Sequence, residues 1–111
     1  METSTKKAIR NVASLLEQVR VDHGDIPVQM FTTLLAIAMN EGASQQQIMK
    51  VTKQSKAAVS RNINAWTNWT RHRERGPGYV RLDEDPYDRR HHMVKLTPQG
   101  QKYLDDLFSR V

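Results

Sequence analysis

Three groups of basic side chains are the residues best placed to do chemistry: Lys50, Lys53, Lys56 and Arg61; then Arg71, Arg73 and Arg75; then Arg89 and Arg90. Each Lys or Arg that meets a phosphate releases a condensed counterion, so such groups suit a polyanionic partner. Around the first group, Ser55, Lys56, Ala57, Ser60, Arg61 and Asn64 fall in one short segment. Arg pairs with guanine and Asn with adenine, while Lys and Ser can hold the sugar-phosphate backbone, so this set could read double-stranded DNA. The same side chains would equally make the solvated face of a core helix. The elements around them favour DNA.

Other chemistry finds little support. There is no cysteine, which excludes disulfides, thiolate nucleophiles and sulfur-ligated zinc. His91 and His92 stand at a strand start and are expected to point to opposite faces. Asp22, His23 and Asp25 offer ligand types but no defined geometry, so no metal is expected. No glycine-rich phosphate loop and no Ser, His and acid set is visible. Neither a catalytic residue nor a cofactor is expected.

The chain has 111 residues, 38% hydrophobic and 26% charged, with a net charge of +5, which fits one basic domain over 1–111. Its longest apolar stretch, Leu34 to Met39, is far short of the ~20 residues of a membrane span, and no apolar leader follows Met1. A protein of the cytoplasm is expected. Thr3 or Ser4 can cap a first helix, to about Val21, in which Ile9, Val12, Leu16 and Val19 recur at helical spacing. Pro27 suits the start of a second helix, filled by Val28, Phe31, Leu34, Leu35, Ala38 and Met39 and stopped by Gly42. Ser44 opens a third through about Val51, with Ile48 and Val51 inward, and Ser55 caps a fourth to about Trp69. Val59, Ile63 and Trp66 share one face of that helix, which makes Trp66 core and leaves Trp69 without a role.

Gly76, Pro77 and Gly78 change the pattern. Val80 and Leu82 alternate in one short strand, Val94 and Leu96 in another, with a polar loop between, which predicts a hairpin over 79–96. Thr97 and Pro98 then open a last helix over 98–111, with Leu104, Leu107, Phe108 and Val111 along one stripe. Two helices separated by only Thr52, Lys53 and Gln54, over 44–69, make a helix-turn-helix whose second helix can enter the major groove, and the hairpin would be its wing. The fold class is mainly α with a β-hairpin, a winged helix-turn-helix.

The run Asp85-Pro86-Tyr87-Asp88-Arg89-Arg90, followed after five residues by Leu96-Thr97-Pro98-Gln99-Gly100, resembles the wing signature of the MarR family of bacterial regulators. The resemblance extends back through Ala57-Ala58-Val59-Ser60-Arg61 to Pro27-Val28-Gln29, and so covers about Ile26 to Leu107. It implies that Arg90 reaches a DNA minor groove, where negative potential is concentrated, and that Asp88 supports its geometry. Against the family pattern, Lys53 replaces a turn glycine, and Thr52 and Gln54 stand at positions commonly apolar, so an irregular turn is expected. The basic link Arg71 to Gly78 is longer than usual, and the terminal helices are short, which puts an effector site in doubt.

The expected function is that of a DNA-binding transcriptional regulator, a dimeric repressor or activator on a pseudo-palindromic site. The terminal helices 1–21 and 98–111 supply a candidate dimer interface of Ile9, Val12, Leu104, Leu107, Phe108 and Val111. Two rivals stand beside it: a plasmid or phage DNA-binding adaptor that assembles on repeated sites, and a protein-interaction module that has lost DNA binding.

Overall fold

The computed structural model describes residues 1–68, 75–88 and 91–111. It begins with α1 (Thr3–His23), which ends two residues later than expected on Gly24 at φ 79°, a left-handed value suited to glycine. Of the expected stripe only Val19 is buried, beside Leu15; Ile9, Val12 and Leu16 are exposed. The helical period was legible, but the core lies under the last turns alone. Within residues 1–14 every side chain but Asn11 is exposed, and the molecule measures 51 Å along its longest axis against 27 and 24 Å.

Pro27 is the N-cap of α2 (Val28–Met39), with extended backbone, and does not lie inside the helix. Phe31, Thr33, Leu34 and Ile37 are buried. Val28 and Met39, expected inward, are exposed. Val28 precedes the packed turns, and Met39 lies five residues past Leu34, about 140° round the helix at 3.6 residues per turn.

Ser44 caps α3 (Gln45–Thr52) through a reciprocal box, its hydroxyl accepting from Gln47 N while Gln47 Oε1 accepts from Ser44 N. Ile48 is buried, but Val51 is exposed, because Met49 packs beside Ile48 and turns Val51 to solvent. Lys53 occupies the turn at φ 55° and ψ 38°, so the left-handed geometry usually given to glycine is kept by a lysine and the turn is regular.

Ser55 then caps α4 (Lys56–Asn64). This helix ends five residues short of Trp69, and Ala65 to Asn68 form a turn. Val59, Ile63 and Trp66 are buried as expected, and the Trp66 indole N–H donates to Met30 O at 2.8 Å.

Strands β1 (Val80–Glu84) and β2 (His92–Leu96) pair antiparallel, with Val80 opposite Leu96 and Leu82 opposite Val94. The hairpin is tied to the helices by backbone bonds. Gly42 N donates to Val94 O at 3.0 Å, Val94 N donates to Ala43 O at 2.8 Å, and Ser44 bridges Met93. The wing and the start of α3 are therefore joined through shared main chain.

The Leu96-Thr97-Pro98-Gln99-Gly100 run has a physical reason at the start of α5 (Pro98–Phe108). The Thr97 hydroxyl donates to Gly78 O at 2.5 Å and accepts from Gly100 N at 3.1 Å, so one side chain caps α5 and fastens it to the strand entry. A Cβ on Gly100 would lie 2.2 Å from Tyr79 O, so no other residue lets α5 approach that backbone. Leu104 and Leu107 turn into the core beneath it. Both were expected at a dimer interface, but their own domain covers them. Phe108 and Val111 stay exposed.

His23 seals the junction of α1, α5 and the strand entry. Its ring stands edge-on to Trp66, Tyr79 and Tyr103 at 5.3–5.4 Å between centroids, and its Nε2 is 3.1 Å from the Tyr79 hydroxyl. Asp22 accepts from the Tyr103 hydroxyl at 2.8 Å and Asp25 accepts from Arg20 at 2.7 Å, so the acids considered as metal ligands serve the helix packing. Burial, and then the Asp22 carboxylate, push the Tyr103 phenol well above its usual range.

Candidate nucleic-acid interface

The first turn of α4 presents Lys56 and Ala57 to solvent, and Arg61 is exposed one turn further on. Ser55 is also exposed, but its hydroxyl accepts from Ala58 N at 3.1 Å and is used as the cap. Ser60 and Asn64 are half-buried, and the Asn64 amide donates to Ser60 O at 2.8 Å. Asn64 thus folds back along the helix, while Lys56, Ala57 and Arg61 form its open face. Lys50 and Lys53 are exposed beside it.

What holds that face in place is partly polar. Gln54 and Asn62 are buried and join Thr33: Asn62 Nδ2 donates to Gln54 Oε1 at 2.8 Å, and Gln54 Nε2 donates to Thr33 Oγ1 at 2.6 Å. Position 54, expected to weaken the turn as a polar residue, is instead fully partnered.

A cleft of about 290 Å³ separates α3, α4 and the base of the wing, lined by Gln45, Gln46, Met49, Lys56, Val59, His91 and His92. The two histidines were expected on opposite faces, yet both border this space. Gln45, Gln46, His91 and His92 add polar side chains that sequence reasoning did not assign to the site. The signal for Gln45 and Gln46 was available, since both follow the Ser44 cap at the mouth of the helix-turn-helix.

Two of the wing's acids, Asp83 and Asp88, have basic partners within it. Asp83 pairs with Arg81 at 3.3 Å and Lys95 at 3.6 Å, and Asp85 Oδ1 accepts from Tyr87 N at 2.9 Å. Asp88 lies 3.3 Å from His91 Nε2, an ion pair when that imidazole is protonated. The partners of Asp83 offset part of the repulsion that a carboxylate cluster would offer to phosphate. Arg75, within the link over 71–78, is exposed. Arg71, Arg73, Arg89 and Arg90 lie outside the described residues, as does Trp69. Among the described residues no helix is long and apolar enough to cross a membrane.

A capped helix with an open basic face, reached over a short turn and flanked by a hairpin sewn to the preceding helix, defines a winged helix-turn-helix protein. Residues 25–69 match the model of the MarR family, a stretch that spans α2, α3 and α4 and stops ahead of the wing. That stretch is similar to the MarR family, and the chain as a whole has the winged-helix fold. No curated protein sequence matches it. Solved structures share its fold at low identity. A mutant MarR from E. coli is 19% identical over 100% of this chain and 76% of its own, with a TM-score of 0.69. The same mutant complexed with operator DNA is 21% identical over 97% and 67%, with a TM-score of 0.68. A MarR transcriptional regulator from Methanosarcina mazei Go1 is 21% identical over 95% and 74%, with a TM-score of 0.64.

Proposed function

We propose that this chain is a transcriptional regulator that binds double-stranded DNA in a sequence-specific manner, as a homodimeric repressor on a pseudo-palindromic operator. The observation that carries the reading is the open face of α4, where Lys56, Ala57 and Arg61 stand clear of the core while Val59 and Ile63 anchor the opposite side. Such a helix fits the major groove, and its N-terminal side chains are those that reach base edges. A mutant E. coli MarR that shares this fold is complexed with operator DNA, which supports a DNA-binding reading. Arg90, carried at the wing, would enter the flanking minor groove, with Asp88 shaping the loop beside it and Arg89 on the backbone.

Two-fold pairing follows from the need to contact enough base pairs, with half-sites about one turn, ~10 bp, apart. The test is selection of bound duplexes from a random pool, followed by binding of Arg61→Ala and Arg90→Ala to the selected site. Arg61→Ala should cost about 1–3 kcal/mol and relax preference at one base pair, whereas Arg90→Ala should weaken binding chiefly at A·T-rich flanks. Wild-type affinity in both variants would refute the docking.

A further inference from the structure

Three buried polar residues behind α4, Thr33, Gln54 and Asn62, form a closed circuit with the exposed Gln29. Asn62 Nδ2 donates to Gln54 Oε1 at 2.8 Å, Gln54 Nε2 donates to Thr33 Oγ1 at 2.6 Å, and the Thr33 hydroxyl donates to Gln29 O at 2.7 Å. The second Asn62 N–H closes the loop on Gln29 Oε1 at 3.2 Å. The circuit begins and ends on Gln29, and it ties α2, the turn and α4 to one another. Every bond in its main line runs the same way, from α4 through the turn to α2, an arrangement in which each bond polarises the next. Among the described residues no buried side-chain nitrogen or oxygen lacks a partner.

We propose that Gln29, Thr33, Gln54 and Asn62 are positioning residues that set the angle of α4 on α2, and through it the discrimination between DNA sequences. The apolar contacts of Val59, Ile63 and Trp66 are non-directional and tolerate a small roll or slide of a nine-residue helix. Hydrogen bonds with fixed donor and acceptor geometry do not. Asn62 directly follows Arg61, so a roll of α4 that breaks its two bonds also moves the Arg61 guanidinium off its base. Bidentate base reading depends on a supporting shell that holds the helix to within about half an ångström. Contacts to phosphate from Lys56 or Lys53 adapt through flexible stems. The circuit therefore governs selectivity and leaves general DNA affinity alone. An apolar set of the same volume would serve stability as well, since replacing whole buried polar groups by shape-matched apolar ones is often neutral.

The inference rests on the DNA-binding reading above, and its test separates the two. Wild type, Thr33→Ser, Thr33→Val and the triple variant T33V/Q54M/N62L are titrated against the selected duplex and a random duplex of equal length, with thermal melts of each. Thr33→Ser keeps the hydroxyl and should match wild type in both affinities. Thr33→Val, which is isosteric but cuts the line, should keep random-duplex affinity and its salt dependence while the selected-to-random ratio falls about tenfold, the discrimination that one read base pair supplies. The triple variant should melt no lower than Thr33→Val, having no orphaned partner left inside, yet show the same loss of ratio. Folded Thr33→Val or triple variant with the wild-type ratio overturns the positioning role and leaves DNA binding standing. A wild type that enriches no sequence from the pool overturns both.

Discussion

The terminal helices make the most exacting prediction, because the surface proposed for the dimer is smaller than the sequence stripes. Ile9, Val12, Leu16 and Phe108 are 51%, 50%, 46% and 41% exposed. Full burial of such a side chain stabilises by about 1.5–3 kcal/mol, so covering the remaining half contributes about 1 kcal/mol each. In a two-fold dimer each substitution counts twice. Val12→Glu with Phe108→Glu would therefore remove about 4 kcal/mol of apolar contact from the pair, before any cost of facing like charges, or roughly a thousandfold in dimer dissociation constant. Folding of the monomer should scarcely change, since both side chains are at the surface and Glu is a good helix former. Leu107→Glu would instead place a carboxylate where a side chain only 2% exposed now packs, and should unfold the chain. Sedimentation equilibrium gives the association state, and a thermal melt shows that the double variant is folded. The projecting half of α1 adds weight, because an isolated helix of that length is marginal in water. A wild type that stays monomeric at micromolar concentration, both free and on a duplex with two half-sites, would refute the reasoning, as would a double variant that dimerises unchanged.

Three further outcomes can be checked on the same material. Gly100→Ala drives a methyl group against Tyr79 O and should destabilise by about 3 kcal/mol, read as a lowered urea midpoint; an unchanged midpoint would remove the close-approach argument for the wing motif. Burial holds His23 below its usual imidazole range, with Asp22 opposing. Because its folded-state value is depressed, the unfolded chain binds the proton more readily. The contribution of neutral His23 is thus whole above about pH 6.5 and is lost as pH falls from there through the folded-state value. Urea melts at pH 7.5 and 5 should show that fall in wild type and a smaller one in His23→Gln, and equal falls would exclude His23 as the source. Finally, log affinity for the operator should decline with log salt by roughly 0.9 per neutralised phosphate, and charge removal at Arg71, Arg73 and Arg75 together should flatten the line if the link meets backbone. An unchanged slope would assign those arginines to solvent.

Much local chemistry was legible in the sequence, because caps and periods are set by near neighbours, although Thr3 and Ser4, expected as caps, lie inside α1 and its N-cap Glu2 makes no side-chain cap bond. Ser44, Ser55 and Thr97 each stand where a helix needs a hydroxyl, and each accepts from a first-turn N–H. Val59, Ile63 and Trp66 share the face their spacing assigned, and the alternation of Val80, Leu82, Val94 and Leu96 gave the hairpin. The same residues that announce the wing, from Leu96 to Gly100, also contain the cap and the close approach that fix it to α5.

Which parts of an apolar face are covered, however, depends on where other elements end. Ile9, Val12 and Leu16 repeat at the same spacing as Val19, yet only Val19 lies where α5 and the strand entry reach, and Leu104 and Leu107 face inward although Phe108 on the same helix does not. Val51 and Met39 go to solvent because Ile48 with Met49, and Leu34, set which faces of α3 and α2 meet the core. Gln54 was expected to leave the turn irregular and Asn62 carried no expectation, yet partners 21 and 8 positions away satisfy their amides inside. Residue type and spacing are properties of the chain within a few turns, and they determined the helices, the hairpin and the basic face of α4. Burial and hydrogen-bond partnership over dozens of residues are properties of the packed whole, so only the tertiary structure decided which apolar side chains stay exposed and which buried polar groups brace α4.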